Sequence, residues 1–231
     1  MQTAPPIRRR TIALACAGAL MAAGPPPPAQ AAPRLSIIRD AEIESLLRAY
    51  VRPIFKVAGL HARAVKVHLV NNNAINAFVA GGQRIFVFTG MILEARTPNE
   101  LTGVLAHEAA HIAAGHLVRR GIAVENMTVA AILTMLAAAG AVAAAGATGQ
   151  GDLAEGGVGV MMGGQSMLRR GLLAYMRGQE AAADQAAARY LARAGQSGRG
   201  MLDLFRRMHQ RQRLSLRGVD PYLLTHPLPR Q

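Results

Sequence analysis

Tryptophan is absent from the 231 residues, Tyr and Phe number four and five, and lysine occurs only at Lys56 and Lys66. With so few rings, Ala, Leu, Val and Met have to fill any core. A single cysteine, Cys16, excludes an intramolecular disulfide and leaves the redox compartment open. Acidic residues are half as numerous as basic ones, 13 against 26, so the formal net charge is +13. The arginines stand in ones, twos and threes. There is no long basic run interleaved with aromatics and no visible nucleic-acid motif, which argues against a nucleic-acid partner. The charge implies solubility and some attraction to an anionic membrane surface.

Against these shortages, 51% of the residues are hydrophobic, enough for one sizeable domain or two small ones. The N-terminus reads as an address. Arg8, Arg9 and Arg10 form a positive n-region, residues 11–24 an apolar run too short to span a bilayer comfortably, and Ala29-Gln30-Ala31 an A-x-A cleavage signal. Residues 1–31 are therefore expected to be a signal peptide for Sec export, leaving residues 32–231 as a cysteine-free domain. A retained anchor, or a lipoprotein through Cys16, fits the pattern less well.

In the exported part, Ile43, Leu46, Leu47, Tyr50, Val51, Ile54 and Phe55 recur at helical spacing, predicting a helix over 40–59. Val65, Val67 and Leu69 alternate, predicting a strand over 64–70, and "NAFVAGGQRIFVFTG" reads as a hairpin turning at Gly81-Gly82. A helix is expected over 98–120. Thr97 is the N-cap, Pro98 the first helical residue, Glu100 the capping-box partner, and Arg119 and Arg120 suit the C-terminal end of the dipole. Residues 126–151 carry no charge. They are long enough for a membrane span but alanine-rich, so a helical hairpin, a lid or a membrane-touching segment fits as well. The Gly-rich residues 152–165 are expected to be a mobile connection. Two further helices follow, over 166–194 with Gly195 just past its end, and over 201–212.

The chemistry lies in "GVLAHEAAHIAAGH". His107-Glu108-x-x-His111 is an HExxH motif, and chance gives it an expected count of only roughly 0.007 in a chain of this composition. On a helix, positions i and i+4 share a face, so both imidazoles can reach one ion, with Glu108 angled to serve as base for a water. A third ligand is needed. In "GLLAYMRGQEAAADQAAARYLARAG" an apolar stripe runs through Leu172, Met176, Ala183, Ala187 and Leu191, and Glu180 and Asp184 fall on it, where a carboxylate is costly unless something neutralises it. Glu180 is thus the candidate third ligand. Asp184, one turn on, is placed to accept the free ring N–H of a ligating histidine. His116 lies five residues beyond His111, a spacing that rotates it away from the metal face of a continuous helix. It is expected to be structural. His226, in "DPYLLTHPLPRQ", sits in a Pro-punctuated loop. Three roles stay open for it: hydrogen-bond donor to a reacting carbonyl, extra ligand that blocks the water, or turn residue without function.

"ELTGVLAHEAAHIAAGH", "LAYMRGQEAAAD", "THPLPR" and "NAFVAGGQRIFVFTGMI" together resemble the gluzincin metallopeptidases of family M48, and among them the BepA-type and Oma-like peptidases of its exported bacterial branch. The resemblance implies an α+β, mainly helical zincin-like domain with a small sheet and an HExxH helix. It implies zinc held by His107, His111 and Glu180, Glu108 as base, a lid formed by the segment between the two site helices, and His226 near the metal. It also implies that Asn76, Ala77 and Phe78 receive a substrate backbone by strand addition. A tetratricopeptide domain often follows in that family, and the sequence stops at Gln231 before one begins. The expected function is a zinc endopeptidase of the bacterial envelope, periplasmic, acting on misfolded or misassembled envelope proteins. The alternative is a chaperone-like or binding factor at the membrane with a silent or structural zinc site.

Overall fold

The Thr97-Pro98-Glu100 start signal folds as its chemistry dictates. In the computed structural model, which describes residues 35–148, 151–214 and His226, Thr97 Oγ1 accepts the Glu100 amide at 3.3 Å and Glu100 Oε2 accepts the Arg96 amide at 2.8 Å. The helix begins at Pro98. Its centre has no solvent face: every residue from Glu100 to His111 is buried.

Around this helix the elements run β1 (Ile37–Ile38), α1 (Ala41–Val57), β2 (Lys66–Val70), β3 (Ala77–Ala80), β4 (Arg84–Phe88), α2 (Thr89–Glu94), α3 (Pro98–Ala113), α4 (His116–Thr148), α5 (Gly151–Arg193) and α6 (Arg199–Leu214). The strands form one mixed sheet in the order β1-β2-β4-β3. β3 and β4 make the antiparallel hairpin expected at Gly81-Gly82, both with positive φ, and Val79 faces Ile85. β4 runs parallel to β2, with Val67 opposite Ile85, and β1 adds antiparallel on the far side. Side chains alternate along β4. Ile85 and Val87 enter the main core with Val51, Ile54 and Phe55 of α1, Leu101, Val104 and Leu105 of α3, Ala187 and Leu191 of α5, and Leu204 and Met208 of α6. On the other face Phe86 stacks on Phe78 with ring centroids 5.2 Å apart, and Phe88 meets Phe78 edge-on at 5.8 Å. The class is the α+β, mainly helical one that the residue pattern and the resemblance predict.

α6 is fastened to α3 at two points. Arg207 pairs bidentately with Glu100, Nη1 to Oε1 at 2.8 Å and Nη2 to Oε2 at 2.6 Å. Arg207 holds the Glu100 carboxyl below its usual range; burial opposes this, and the Arg96 amide adds to it. Three residues along, Gly103 lets Met201 come so close that a Cβ on Gly103 would lie 2.5 Å from Met201 Cβ.

Two expectations fail. The helix predicted over 98–120 ends at Ala113: Gly115 takes φ 64°, its amide bonds to Ile112 O at 3.0 Å, and a new helix starts at His116. The stretch predicted to be a mobile connection over 152–165 is helical and belongs to α5. The reason is packing. α4 and α5 form a helical hairpin, one of the arrangements left open above, in which Gly157 faces Ala138 and Val142 and Gly164 faces Thr134 so closely that side chains would collide. The glycines that weaken helix propensity are what let the two backbones approach. α5 then ends as predicted: Gly195 has φ 69°, and the Gln196 amide returns to Leu191 O at 2.8 Å. Within α4, His116–Ala144 is long and apolar enough to cross a membrane, and only 6% of its most apolar window is buried. Val118, Val129, Leu133 and Leu136 are more than half exposed. The expected signal peptide lies outside the described residues.

Candidate metal centre

Two helices bring the polar residues together. His107 and His111 point from one face of α3, and α5 crosses that face with Glu180 and Asp184. His107 Nε2 and His111 Nε2 lie 3.0 Å apart, and Glu180 Oε2 lies 3.2 Å from the first and 3.5 Å from the second. All three residues are buried. Three lone-pair donors facing one point without a cation is a costly arrangement. It is also the arrangement that tetrahedral zinc requires, since bonds of about 2.0–2.1 Å to nitrogen and oxygen put neighbouring donors about 3.3–3.4 Å apart. The residues present fit the ion.

Each histidine is oriented from behind. His107 Nδ1 meets Asp184 Oδ1 at 2.8 Å. His111 Nδ1 meets His116 Nδ1 at 2.9 Å. His116 is thus not turned away from the site, as an unbroken helix would turn it. The break at Gly115 resets the helical phase and swings the ring back. Burial, the neighbouring His111 and the arginines at 119 and 120 lower its pKa to about 4, so at neutral pH it is an uncharged acceptor. An Nδ1–H on His111 that donates to it leaves Nε2 as a lone pair aimed at the cluster. The signal for this was present in "AAGH", a glycine at a helix end followed by a fresh start.

Without a metal, a proton takes the cation's part. Burial disfavours charge on His107, but the Asp184 and Glu180 carboxylates outweigh it and raise its pKa to about 10. Burial likewise opposes ionisation of Glu180, and hydrogen bonds from His107, His111 and His226 overcome it and hold the carboxyl well below the usual carboxylate range.

Glu108 is fully buried beside the donor triangle, and neither carboxylate oxygen has a hydrogen-bond partner among the described residues. An unsatisfied buried carboxylate is expensive and calls for a ligand. His226 joins the group. Its Nδ1 lies 2.8 Å from Glu180 Oε2 and 3.3 Å from His107 Nε2, its Nε2 3.2 Å from Ala77 O and 3.5 Å from Glu108 Oε1. Donor atoms of His107, His111, Glu180 and His226 all lie within 4.8 Å of one another. Ala77 and Phe78 belong to β3, an edge strand of the sheet. Asn76 is buried just before it, and its carbonyl accepts the Phe88 amide at 3.0 Å. Two further residues border the site: Phe205, which the sequence did not single out and whose ring stands edge-on to His107 with centroids 5.8 Å apart, and Arg120, expected only to suit a helix end, whose Nη2 lies 3.5 Å from Glu180 Oε1.

A small mixed sheet, an HExxH helix and a crossing helix that supplies a buried glutamate define a class, the zincin-like metallopeptidases. Comparison with known proteins narrows it. The chain belongs to peptidase family M48, whose family model matches residues 38–231. It is 29% identical over 190 residues to the beta-barrel assembly-enhancing protease of Escherichia coli, covering 80% of this chain and 37% of that protein. A putative beta-barrel assembly-enhancing protease of Vibrio cholerae is 32% identical over 161 residues, 70% of this chain and 31% of that one. The mitochondrial metalloendopeptidase OMA1 of Danio rerio is 34% identical over 77 residues, 33% of this chain and 16% of that one. The chain therefore spans about a third of the length of the relatives it matches over most of its own.

Proposed function

We propose that this protein is a zinc-dependent metalloendopeptidase, exported to the periplasm by residues 1–31, that hydrolyses peptide bonds of misfolded or misassembled envelope proteins. One observation carries the chemistry: three buried donors at tetrahedral spacing, with the Glu108 carboxylate, buried and without a hydrogen bond among the described residues, beside them. His107, His111 and Glu180 are the ligands, and Asp184 and His116 orient the two rings. When bound, zinc polarises a peptide carbonyl and makes a water acidic enough to attack it near neutral pH. Glu108 takes the proton of that water and returns it to the leaving amine nitrogen. The edge of β3 at Asn76, Ala77 and Phe78 aligns the substrate backbone as an added strand. His226, with Nδ1 inside the donor group, acts as a fourth ligand that keeps the resting site closed, and it has to leave before a substrate enters. The relatives' names, assembly-enhancing protease and metalloendopeptidase, support the reaction and the substrate class.

The exposed apolar helix supports a place at the membrane. The α4–α5 hairpin rests on an anionic lipid surface, and flotation of the protein with phosphatidylglycerol vesicles tests this; protein left at the bottom of the gradient with anionic and neutral vesicles alike removes that part of the account. The same helix motivates a second reading, a chaperone-like membrane factor with a silent or structural zinc. That reading needs no base, and Glu108 is present, buried and without a hydrogen bond among the described residues. Hydrolysis of β-casein by the exported chain and by Glu108→Gln separates the two. Wild type with one zinc should cleave. Glu108→Gln should keep the zinc and lose about 100- to 10,000-fold in rate. An active Glu108→Gln protein ends the base assignment; a zinc-loaded wild type that never cleaves favours the second reading.

A further inference from the structure

A cavity of about 220 Å³ opens beside the cluster, lined by Phe78 and Val79 of β3, Glu108 and His111 of α3, His116, Leu117 and Arg120 of α4, and His226. Arg120 is the one arginine or lysine in that lining. It is there because the break at Gly115 sends α4 off in a new direction, so that its first turns wall the site instead of extending α3.

Arg207 shows how this chain builds an arginine whose task is an ion pair: two parallel bonds of 2.8 and 2.6 Å to Glu100, and Glu94 at 3.7 Å from Nε. Arg120 is built otherwise. Among the described residues its one hydrogen bond or ion pair, Nη2 to Glu180 Oε1, is 3.5 Å long, at the limit of a hydrogen bond; the Nε of both arginines is buried without a hydrogen-bond partner, so the difference lies in the terminal nitrogens, which Arg207 uses in full and Arg120 does not. The side chain stays 29% exposed, toward the cavity. Glu180 is committed through its other oxygen to His107, His111 and His226, so it does not occupy the guanidinium fork. A planar, permanently charged fork that keeps donors unused at the wall of a cavity is complementary to a carboxylate, which accepts two such bonds at once.

We infer that Arg120 is an anion-binding subsite that takes a carboxylate of the polypeptide substrate, and so makes the enzyme selective for an acidic group close to the cleaved bond. The inference rests on the peptidase reading above. Two sources supply that group, an Asp or Glu side chain or a chain terminus, and they are separable.

The test uses zinc-loaded protein and quenched peptides of one parent sequence, in which each position around the cleaved bond is in turn Glu or Gln, plus a pair ending in a free acid or an amide. At one position, or at the terminus, wild type should prefer the acid over its neutral isostere by about 10- to 100-fold in kcat/KM, the range of a charge-assisted hydrogen bond. Arg120→Gln should bring that ratio near one, and Arg120→Glu should invert it in favour of the neutral isostere. A preference at an internal position assigns a side chain; one at the terminus alone assigns the chain end. The ratio within a variant is the readout, because a general loss of activity does not move it. Binding of the same peptides, fluorescein-labelled, to zinc-loaded Glu108→Gln with and without Arg120→Gln answers the question without turnover, so a failure of peptidase activity is told apart from a failure of the subsite. Equal handling of acid and isostere by wild type, an acid preference that survives Arg120→Gln, or an equal drop for every peptide would overturn the inference.

Discussion

Zinc loading should expel a proton from the metal-free protein, and the number can be worked out. His107 is fully enclosed, with Asp184 on Nδ1 at 2.8 Å and Glu180 near Nε2 at 3.2 Å, and its pKa is raised to about 10. The sign follows from the direction. A folded pKa above the ordinary 6.5 means that the proton stabilises the metal-free fold fully below pH 6.5, and that this contribution is lost as pH rises through about 10. At pH 7.5 His107 is therefore almost wholly protonated, about two and a half pH units below its midpoint, and the apparent zinc affinity is reduced by roughly 300-fold relative to the deprotonated site. Calorimetric titration at pH 7.5 in phosphate, HEPES and Tris, whose ionisation enthalpies differ, reads the proton number as a slope. About one proton per zinc is expected from His107, and the thermal midpoint of metal-free protein should fall between pH 7 and pH 10 while that of zinc-loaded protein holds. Asp184→Ala removes one of the two carboxylates responsible, so it should release fewer protons at pH 7.5. A slope near zero in wild type, or one unmoved by Asp184→Ala, would refute the reasoning.

Three further outcomes are expected. His116→Phe fills the space but withdraws the acceptor from His111 Nδ1, and it should weaken zinc binding by about 10- to 100-fold in a chelator competition while the metal-free melting curve changes little. Glu100→Gln breaks the buried pair with Arg207 and should lower stability by about 3 kcal/mol in urea unfolding; because the Glu100 pKa is depressed below 4.5, the pair's contribution is present above that pH and lost as pH falls through the lowered value. Gly103→Val drives a branched side chain into Met201 and should cost about 1–3 kcal/mol with lower zinc retention, read by the same unfolding assay and metal analysis.

Where the sequence was readable, the cause was local chemistry. Thr97, Pro98 and Glu100 state a helix start that needs no tertiary context, Gly81-Gly82 states a turn, and the spacing of His107 and His111 states a shared face. Glu180 and Asp184 stood out because an acid on an apolar stripe demands a partner, and the structure brings both to the α3 histidines. What stayed hidden depended on contacts between distant segments. Nothing near Lys66–Val70 announces that it pairs in parallel with Arg84–Phe88. The glycines at 157 and 164 read as weak helix until α4 lies against them. A helix run unbroken over 98–120 passes through Gly115, and that one error turns His116 to the wrong side and gives Arg120 only a helix-end role. His226 comes from 46 residues beyond Glu180, and no periodicity links them.

Anomalous diffraction from crystals of residues 32–231, recorded on both sides of the zinc absorption edge, addresses the metal centre itself. The account predicts one strong peak within bonding distance of His107 Nε2, His111 Nε2 and a Glu180 carboxylate oxygen. A peak held by other residues, or zinc-soaked crystals with no peak between α3 and α5, would contradict it.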